Sequence, residues 1–264
     1  MSFASEQGQG RANEDRVYAG SDWALVIDGA TAPPAVDSGC RHGVSWLVDR
    51  LCGGLAAELS AERPAPLSDC LAAAIRAARR AHGGTCDLDN PDSPSATVAI
   101  ARPEPGGLDR GAPGARRVEY LVLADCTVLL AERGGEVAAT TDGRVEQLPG
   151  GRPYSAGLVR AHRNTEGGFW VAGAVPEAAY RAVTGVSHTA GARFALMTDG
   201  CARLADYYGH PWRRIWRFLE AEGPDSLVAW VRAEEEARGV PHGKRHDDAT
   251  VVAGAFGPPA AEPA

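Results

Sequence analysis

Apolar residues recur along the chain in two periods. Short runs rich in β-branched residues, each closing on an acid, read as buried strands. Trp23-Ala24-Leu25-Val26-Ile27 runs into Asp28-Gly29, Tyr120-Leu121-Val122-Leu123-Ala124 into Asp125, and Phe194-Ala195-Leu196-Met197-Thr198 into Asp199-Gly200. Ala249-Thr250-Val251-Val252-Ala253 carries its acids at the start, as Asp247-Asp248, and Ser95-Ala96-Thr97-Val98-Ala99-Ile100-Ala101 is a further strand. More strands are expected on to residue 130, at 136–139 and 145–148, with one or two short ones in 3–20. The second period is helical. Val44, Leu47, Val48, Leu51, Leu55 and Leu59 make one stripe, with Ser38 as its expected N-cap. Beyond Pro64-Ala65-Pro66, Leu67, Leu71, Ile75 and Ala78 make another, closed by Gly83-Gly84. Residues 177–182 read as helical. So do 211–222 and 224–238, each with proline near its first position, and in the second of these Leu227, Val228, Trp230 and Val231 are expected to face inward. Three segments follow neither period: the proline-broken loop after Asp28-Gly29, the Gly/Pro/Arg-rich 103–117, and 149–168, the expected mobile segment near a site.

The order is strands, two helices, strands, two helices, strand. No crossover helix separates the middle strands, which argues for antiparallel pairing and against a doubly wound parallel fold. The fold class expected is α+β: two antiparallel sheets packed as a sandwich, with a pair of helices on each outer side. Residues 1–256 form one domain in this reading, and 257–264 a disordered Pro/Ala tail.

Composition narrows the function classes. The 264 residues carry a formal charge of −7, and Lys244 is the only lysine among scattered arginines. An acidic chain with no basic block is a poor partner for nucleic acid or anionic membrane. The absence of a secretory signal at Met1-Ser2-Phe3 and of any apolar run of membrane length sets the expectation of a soluble, cytoplasmic protein with free thiols, and the chain is expected to be a monomer. None of the six cysteines, Cys40, Cys52, Cys70, Cys86, Cys126 and Cys201, forms a C-x-x-C pair, which argues against a zinc site. His242 and His246 lack metal-ligand spacing and read as surface residues.

The acids at the strand mouths change the picture. Any one Asp-Gly is most simply a turn, and Asp142-Gly143 reads as only that. Jointly, Asp28, Asp125, Asp199 and the Asp247-Asp248 pair would meet on one rim if the last strand runs antiparallel to the others. Glu14 and Asp15, in Asn13-Glu14-Asp15, add carboxylates beside the Asp28 strand. Carboxylates that close raise one another's pKa, and a divalent cation removes the penalty. All-oxygen donors suit magnesium or manganese.

These residues resemble the motifs of the metal-dependent serine/threonine protein phosphatases of the type 2C class, in their bacterial form. Asn13-Glu14-Asp15, Val26-Ile27-Asp28-Gly29, Ser95-Ala96-Thr97-Val98, Ala124-Asp125-Cys126-Thr127, Met197-Thr198-Asp199-Gly200 and Asp247-Asp248-Ala249-Thr250 follow the family's order over about residues 8–256. The resemblance implies a centre for two Mn2+ or Mg2+ ions. Asp28 would bridge both ions and the Gly29 carbonyl would bind one. Asp199 and Asp247 would hold the other. Glu14 and Asp15 would bind directly or through water, Asp125 would help a third, weaker ion, and Asp248 would orient water or backbone. Arg11 stands near the family's phosphate-binding arginine, one residue closer to Glu14. The chain departs from the family at Ala30-Thr31-Ala32-Pro33, where bacterial members usually have Gly-Gly, and at the residues flanking Asp125. The implied substrate is a phosphoserine or phosphothreonine protein, such as the product of a bacterial Ser/Thr kinase. Two other readings stay open: a weak pseudo-phosphatase acting as a binding module, and a phosphatase of a small phosphorylated metabolite.

Overall fold

The computed structural model describes residues 1–10, 12–30, 36–108, 115–132 and 134–257. The chain opens with β1 (Ser2–Glu6), β2 (Arg16–Ala19) and β3 (Ala24–Ala30), followed by α1 (Val44–Leu59) and α2 (Leu67–Ala81). Next come β4 (Ser95–Leu108), β5 (Ala115–Leu123), β6 (Thr127–Glu132) and β7 (Val137–Thr141), then α3 (Ala156–His162). β8 (Val183–Met197), α4 (Asp199–Asp206), α5 (Trp212–Arg238) and β9 (Ala249–Ala255) complete it.

Every strand pairing is antiparallel, as the sequence order requires. The strands do not separate into two sheets, however. They form one hydrogen-bonded path, β1-β9-β8-β5-β4-β3-β2, with β6 and β7 branching from β8. β8 is the reason. Its first part pairs with β5, and its last residues pair with both β6 and β9. Between these parts Gly191 (φ 66°) and Ala192 (φ 53°) are left-handed, a conformation that bends the strand out of one half of the sheet and into the other. The far strands approach each other, β2 beside β1 and β9, so the sheet nearly closes like a barrel.

Side-chain alternation builds the core on this frame. Along β3, Ala24 and Val26 point inward and pack with Val122, Val128, Phe194, Leu196 and Val252. Leu25 and Ile27 point outward, under the apolar stripes of α1 and α2. On the other side Leu129, Ala195, Met197 and Val251 pack under α4 and α5, including Ile215, Leu227, Val228 and Val231. Each fully buried Val, Leu, Ile, Phe or Met among them contributes about 1.5–3 kcal/mol of transfer free energy.

Several local expectations shift. α1 begins after Gly43 rather than at Ser38, whose hydroxyl instead bonds within its own turn, to the Cys40 carbonyl at 3.1 Å. Residues 145–148 are a 3-10 turn (Val145–Gln147), as is most of 177–182 (Pro176–Arg181). The aperiodic 149–168 contains α3, capped by the Ser155 hydroxyl accepting from Leu158 N–H at 3.2 Å. The two C-terminal helices are contiguous, broken only at Gly223 (φ 82°). Trp230 is half-buried, its indole N–H donating to Glu234 at 3.2 Å. Residues 103–117 extend β4 and β5 into a long hairpin whose tip, 109–114, lies outside the described residues, as do Arg11, 31–35 and the tail from 258. Among the described residues no helix is long and apolar enough to cross a membrane.

Candidate metal centre

Asp28 is the fifth residue of β3, paired in register with Thr97 of β4. Asp199 opens α4 directly after β8, where the helix N-terminus favours a carboxylate. Asp125 sits in the tight turn between β5 and β6, and Asp247 precedes β9. Because β9 runs antiparallel to β8, its start lies beside the end of β8 and so beside Asp199. The structure brings these carboxylates near one another: Asp199, Asp15, Asp125 and Asp247 all act electrostatically on Asp28.

Close backbone approach brings the pieces together. A Cβ on Gly29 would lie 2.3 Å from Val44 Cγ1 and 3.0 Å from the Glu14 carbonyl, so only glycine lets the Glu14 loop pack against β3. A Cβ on Gly200 would lie 2.0 Å from the Asp248 carbonyl, so glycine there lets α4 sit on the start of β9.

The loop bearing Glu14 and Asp15 is pinned from three sides. Asn13 Oδ1 accepts from Asp15 N–H at 2.9 Å, closing an Asx turn. Asp15 Oδ2 accepts from the Thr198 hydroxyl at 2.8 Å, and that hydroxyl accepts in turn from Thr250 N–H at 3.0 Å. Asp248 is buried and accepts from Gly8 N–H and Glu14 N–H, both at 2.7 Å. Its two oxygens are thus committed to backbone, consistent with an orienting role. Thr198 and Thr250 are positioning residues that the motif strings contained but the sequence reading did not single out.

The electrostatics are those of a crowded acid site. Burial, with Asp199 next in effect, raises Asp125 from 3.8 to about 7. Burial raises Asp15 to about 7 as well, against the lowering effect of the Thr198 hydrogen bond. Burial and then Asp199 push Asp28 well above the carboxylate range, and burial and then Asp247 raise Asp199. Asp15 Oδ1 and Asp125 Oδ1 are buried with no hydrogen-bond partner. Orphaned buried carboxylate oxygens in an all-acid cluster are the donor set a hard divalent cation takes. Asp247 differs from the rest. Its Oδ2 lies 3.0 Å from Arg203 Nη2 and its Oδ1 2.9 Å from Lys244 Nζ.

A cavity of about 450 Å³ opens beside Asp125 and Asp199, lined also by Glu146, Arg152, Asp206, Tyr207 and His242. Arg152, from the aperiodic segment, pairs with Glu146 at 2.6 Å. His242, expected on the surface, instead lines this cavity and bonds the Tyr207 hydroxyl through Nδ1 at 3.0 Å. Burial, with Arg152 and Arg203 nearby, holds it below the usual histidine range. His246 pairs with Glu235 at 2.7 Å and with Glu236 at 3.0 Å. Asp142, expected as a mere turn residue, is 3% exposed and accepts from Ala124 N–H at 3.2 Å, fixing the turn that carries Asp125. Neither Arg152 nor His242 stands in a motif, and only the fold brings them to the rim.

A family model described as protein phosphatase 2C matches residues 4–232, ending before the Asp247-Asp248 pair. No curated protein matches the sequence. Among solved structures, the Mycobacterium tuberculosis serine/threonine phosphatase PstP/Ppp superposes with a TM-score of 0.58 at 19% identity, over 96% of each chain. The PstP catalytic domain in complex with two manganese ions gives a TM-score of 0.57 at 20% identity, over 96% of this chain and 95% of that one. The phosphatase MsPP from Mycobacterium smegmatis in complex with cacodylate gives 0.55 at 17% identity, over 97% of each chain.

Proposed function

Since the chain belongs to the protein phosphatase 2C family, we propose that it is a metal-dependent phosphatase hydrolysing phosphoserine and phosphothreonine on proteins. The observation that carries this reading is the rim itself, with Asp15, Asp125, Asp199 and Asp247 gathered around Asp28 and two of their oxygens buried without a partner. In this reading two Mn2+ or Mg2+ ions are held by Asp28, the Gly29 carbonyl, Asp199 and Asp247, with Glu14 and Asp15 binding directly or through water and Asp125 serving a weaker third ion. When bound, such ions supply a hydroxide nucleophile at neutral pH and neutralise the phosphoryl oxygens. The relative with two manganese ions and the one with cacodylate, a tetrahedral oxyanion, support the assignment.

The chain's own residues do the rest. Arg152 lines the cavity beside Asp125 and Asp199 and can bind a phosphoryl oxygen, while Glu146 holds it in place. Arg11 belongs to the same proposal, as a second phosphate contact. His242, held below the usual histidine range, bonds the Tyr207 hydroxyl through Nδ1 and so orients the cavity wall, and the leaving oxygen takes its proton from water. Asp248, Thr198 and Asn13 keep the Glu14-Asp15 loop in register. The three apolar clusters support a finer description of the sheet, as two facing halves with a helix pair outside each. Residues 1–256 act as a single catalytic unit in this reading, monomeric and cytoplasmic.

One observation favours a catalytically weak form: both oxygens of Asp247 are paired with cations. Turnover of p-nitrophenyl phosphate after exhaustive chelation, with and without added Mn2+, separates the readings. The expected result is activity restored by Mn2+ and then extended to phosphoserine and phosphothreonine peptides. Full activity in the chelated protein, or none at any Mn2+ concentration, overturns the proposal.

A further inference from the structure

The four side chains Cys40, His42, His82 and Cys86 have no part in the acidic rim. Cys40 and His42 lie just before α1, and His82 and Cys86 just after α2. Their ligand-type atoms all lie within 4.8 Å of one another, and among the described residues no other set of such side chains gathers as tightly. The separations are Cys40 Sγ to Cys86 Sγ 3.2 Å, to His82 Nδ1 3.5 Å and to His42 Nδ1 3.7 Å. Cys86 Sγ to His42 Nδ1 is 3.3 Å, and the two Nδ1 atoms are 3.2 Å apart. A tetrahedral ion with Zn–S of about 2.3 Å and Zn–N of about 2.0–2.1 Å spaces its ligands roughly 3.3–3.8 Å apart. We infer that Cys40, His42, His82 and Cys86 form a second, structural metal site of Cys2His2 type, selective for zinc.

Local structure is built for such a site. Gly39 (φ 65°) makes the turn that presents Cys40, and a Cβ there would crowd Asp87 at 3.0 Å. The strand of chain before α1 is laced to the chain after α2 by Asp87 N–H to the Gly39 carbonyl at 2.8 Å and by Asn90 Nδ2 to the Asp37 carbonyl at 2.9 Å. Thr85 caps the end of α2, its hydroxyl donating to the His82 carbonyl at 2.8 Å, so that the chain turns back to bring Cys86 beside His82. Backbone His42 N–H donates to Cys40 Sγ at 3.3 Å, a contact that suits a thiolate. Trp46 stacks on the His42 ring with centroids 4.0 Å apart and meets His82 edge-on at 4.6 Å, fixing both imidazoles with Nδ1 inward.

The donor set decides the metal. Two thiolates and two imidazoles select zinc over the hard cations that carboxylates take. Both thiols release a proton to solvent on binding and both histidines bind neutral, so a divalent ion leaves the site with no net charge. Four protein ligands close the coordination sphere, which marks a structural site rather than a catalytic one. The ion would staple the start of α1 to the end of α2, and so anchor the chain that returns from Asp28-Gly29 into α1. The C-x-x-C criterion missed it because the ligands come as C-x-H and H-x3-C, separated by two whole helices.

The test uses the full chain, and its readouts do not depend on phosphatase activity. Purified protein, dialysed against a weak chelator, is assayed for zinc by plasma mass spectrometry and examined by X-ray absorption at the zinc edge. One zinc per chain with a mixed sulfur and nitrogen shell is expected, and a Cys40→Ser/Cys86→Ser variant should lose that zinc while its Mn2+ titration is retained. Cobalt substitution of the wild type should give tetrahedral d–d bands with thiolate charge transfer, a signature that needs no variant to fold. Absence of zinc and of cobalt thiolate bands, an oxygen-only shell, or a Cys40–Cys86 disulfide in freshly reduced and dialysed protein would overturn the inference. A failure of Mn2+-dependent hydrolysis would leave these readouts untouched.

Discussion

Asp248 accepts from Glu14 N–H at 2.7 Å, a contact between residues 234 apart in sequence. Its other oxygen accepts from Gly8 N–H at the same distance. One buried carboxylate thereby holds both ends of the loop that carries Glu14 and Asp15. Asparagine, its isostere, could be expected to serve here. The geometry says otherwise, because an amide offers one acceptor and turns a donor toward a backbone N–H. Asp248→Asn should therefore cost about 1–3 kcal/mol and weaken Mn2+ binding severalfold through the displaced loop. Urea unfolding and Mn2+ calorimetry check it; wild-type values in both would show that the loop holds without this contact.

Asp28→Asn should abolish Mn2+-dependent turnover and leave the fold intact. Asp28 stands among Asp199, Asp15, Asp125 and Asp247, so removing its charge relieves repulsion in the metal-free protein. Chelated Asp28→Asn should melt at or above the wild-type temperature at neutral pH. Near-normal hydrolysis by this variant would refute the centre. Asp125→Ala should lower turnover less than Asp28→Asn does, and an equal loss would place Asp125 among the principal ligands.

The metal-free protein should lose stability as pH rises between about 4 and 7. Asp15 and Asp125 are raised from 3.8 to about 7 in the fold. Across that window the folded chain binds more protons than the unfolded chain, so the stability fully present below the unfolded pKa is lost as pH rises through the folded one. Melting of chelated protein at pH 4, 5.5 and 7 measures the slope, and saturating Mn2+ should offset it at the upper end. A melting temperature that rises with pH in the absence of metal would contradict the assignment.

Ala124 is left-handed (φ 64°) and buried, with its N–H donated to Asp142. A left-handed alanine costs about 1–2 kcal/mol, and glycine returns about 0.5–1 kcal/mol of that as lost backbone freedom. Ala124→Gly should stabilise the protein by about 0.5–1 kcal/mol with activity retained. Chemical denaturation decides, and destabilisation would show that the Cβ packs usefully.

What could be read from the sequence was whatever is local. The runs into Asp28, Asp125 and Asp199 carry both the strand and its acid, and the α1 and α2 stripes are regular over about three to four turns. The bent β8 escaped because only its last part, Phe194–Met197, is an apolar run, while the residues before the Gly191-Ala192 corner, Val183 to Thr189, alternate with Thr, Gly, Ser and His. Asp142 looked like any turn acid, since its bond to Ala124 closes over eighteen residues. Arg152 and His242 belong to aperiodic segments, so only tertiary folding brings them to the cavity. The Cys/His cluster escaped because each half is a weak motif and the halves meet across a helix pair.

Lys244, the chain's only lysine, would compete with a metal ion for Asp247 in the proposed centre. Its ammonium lies 2.9 Å from Asp247 Oδ1, while the guanidinium of Arg203 lies 3.0 Å from Oδ2. The two cations are not equivalent. Arg203 is 2% exposed and tied to Glu235 at 2.6 Å, so it cannot leave. Arg203→Met would strand part of a buried ion network, at a cost of about 3–5 kcal/mol. Lys244 is exposed on a flexible stem, and such a pair contributes only about 0–1 kcal/mol. Oδ1 is therefore the oxygen that Asp247 can give to an ion, once Lys244 swings into solvent. Lys244→Met removes both the competitor and its local positive charge. Mn2+ affinity at the Asp247 ion should rise about two- to fivefold, the equivalent of the lost pair, with little change in melting temperature. Calorimetric titration of Mn2+ into wild type and Lys244→Met decides it. Unchanged or weaker binding would mean that Asp247 stays with its cations and that the second ion is held without it.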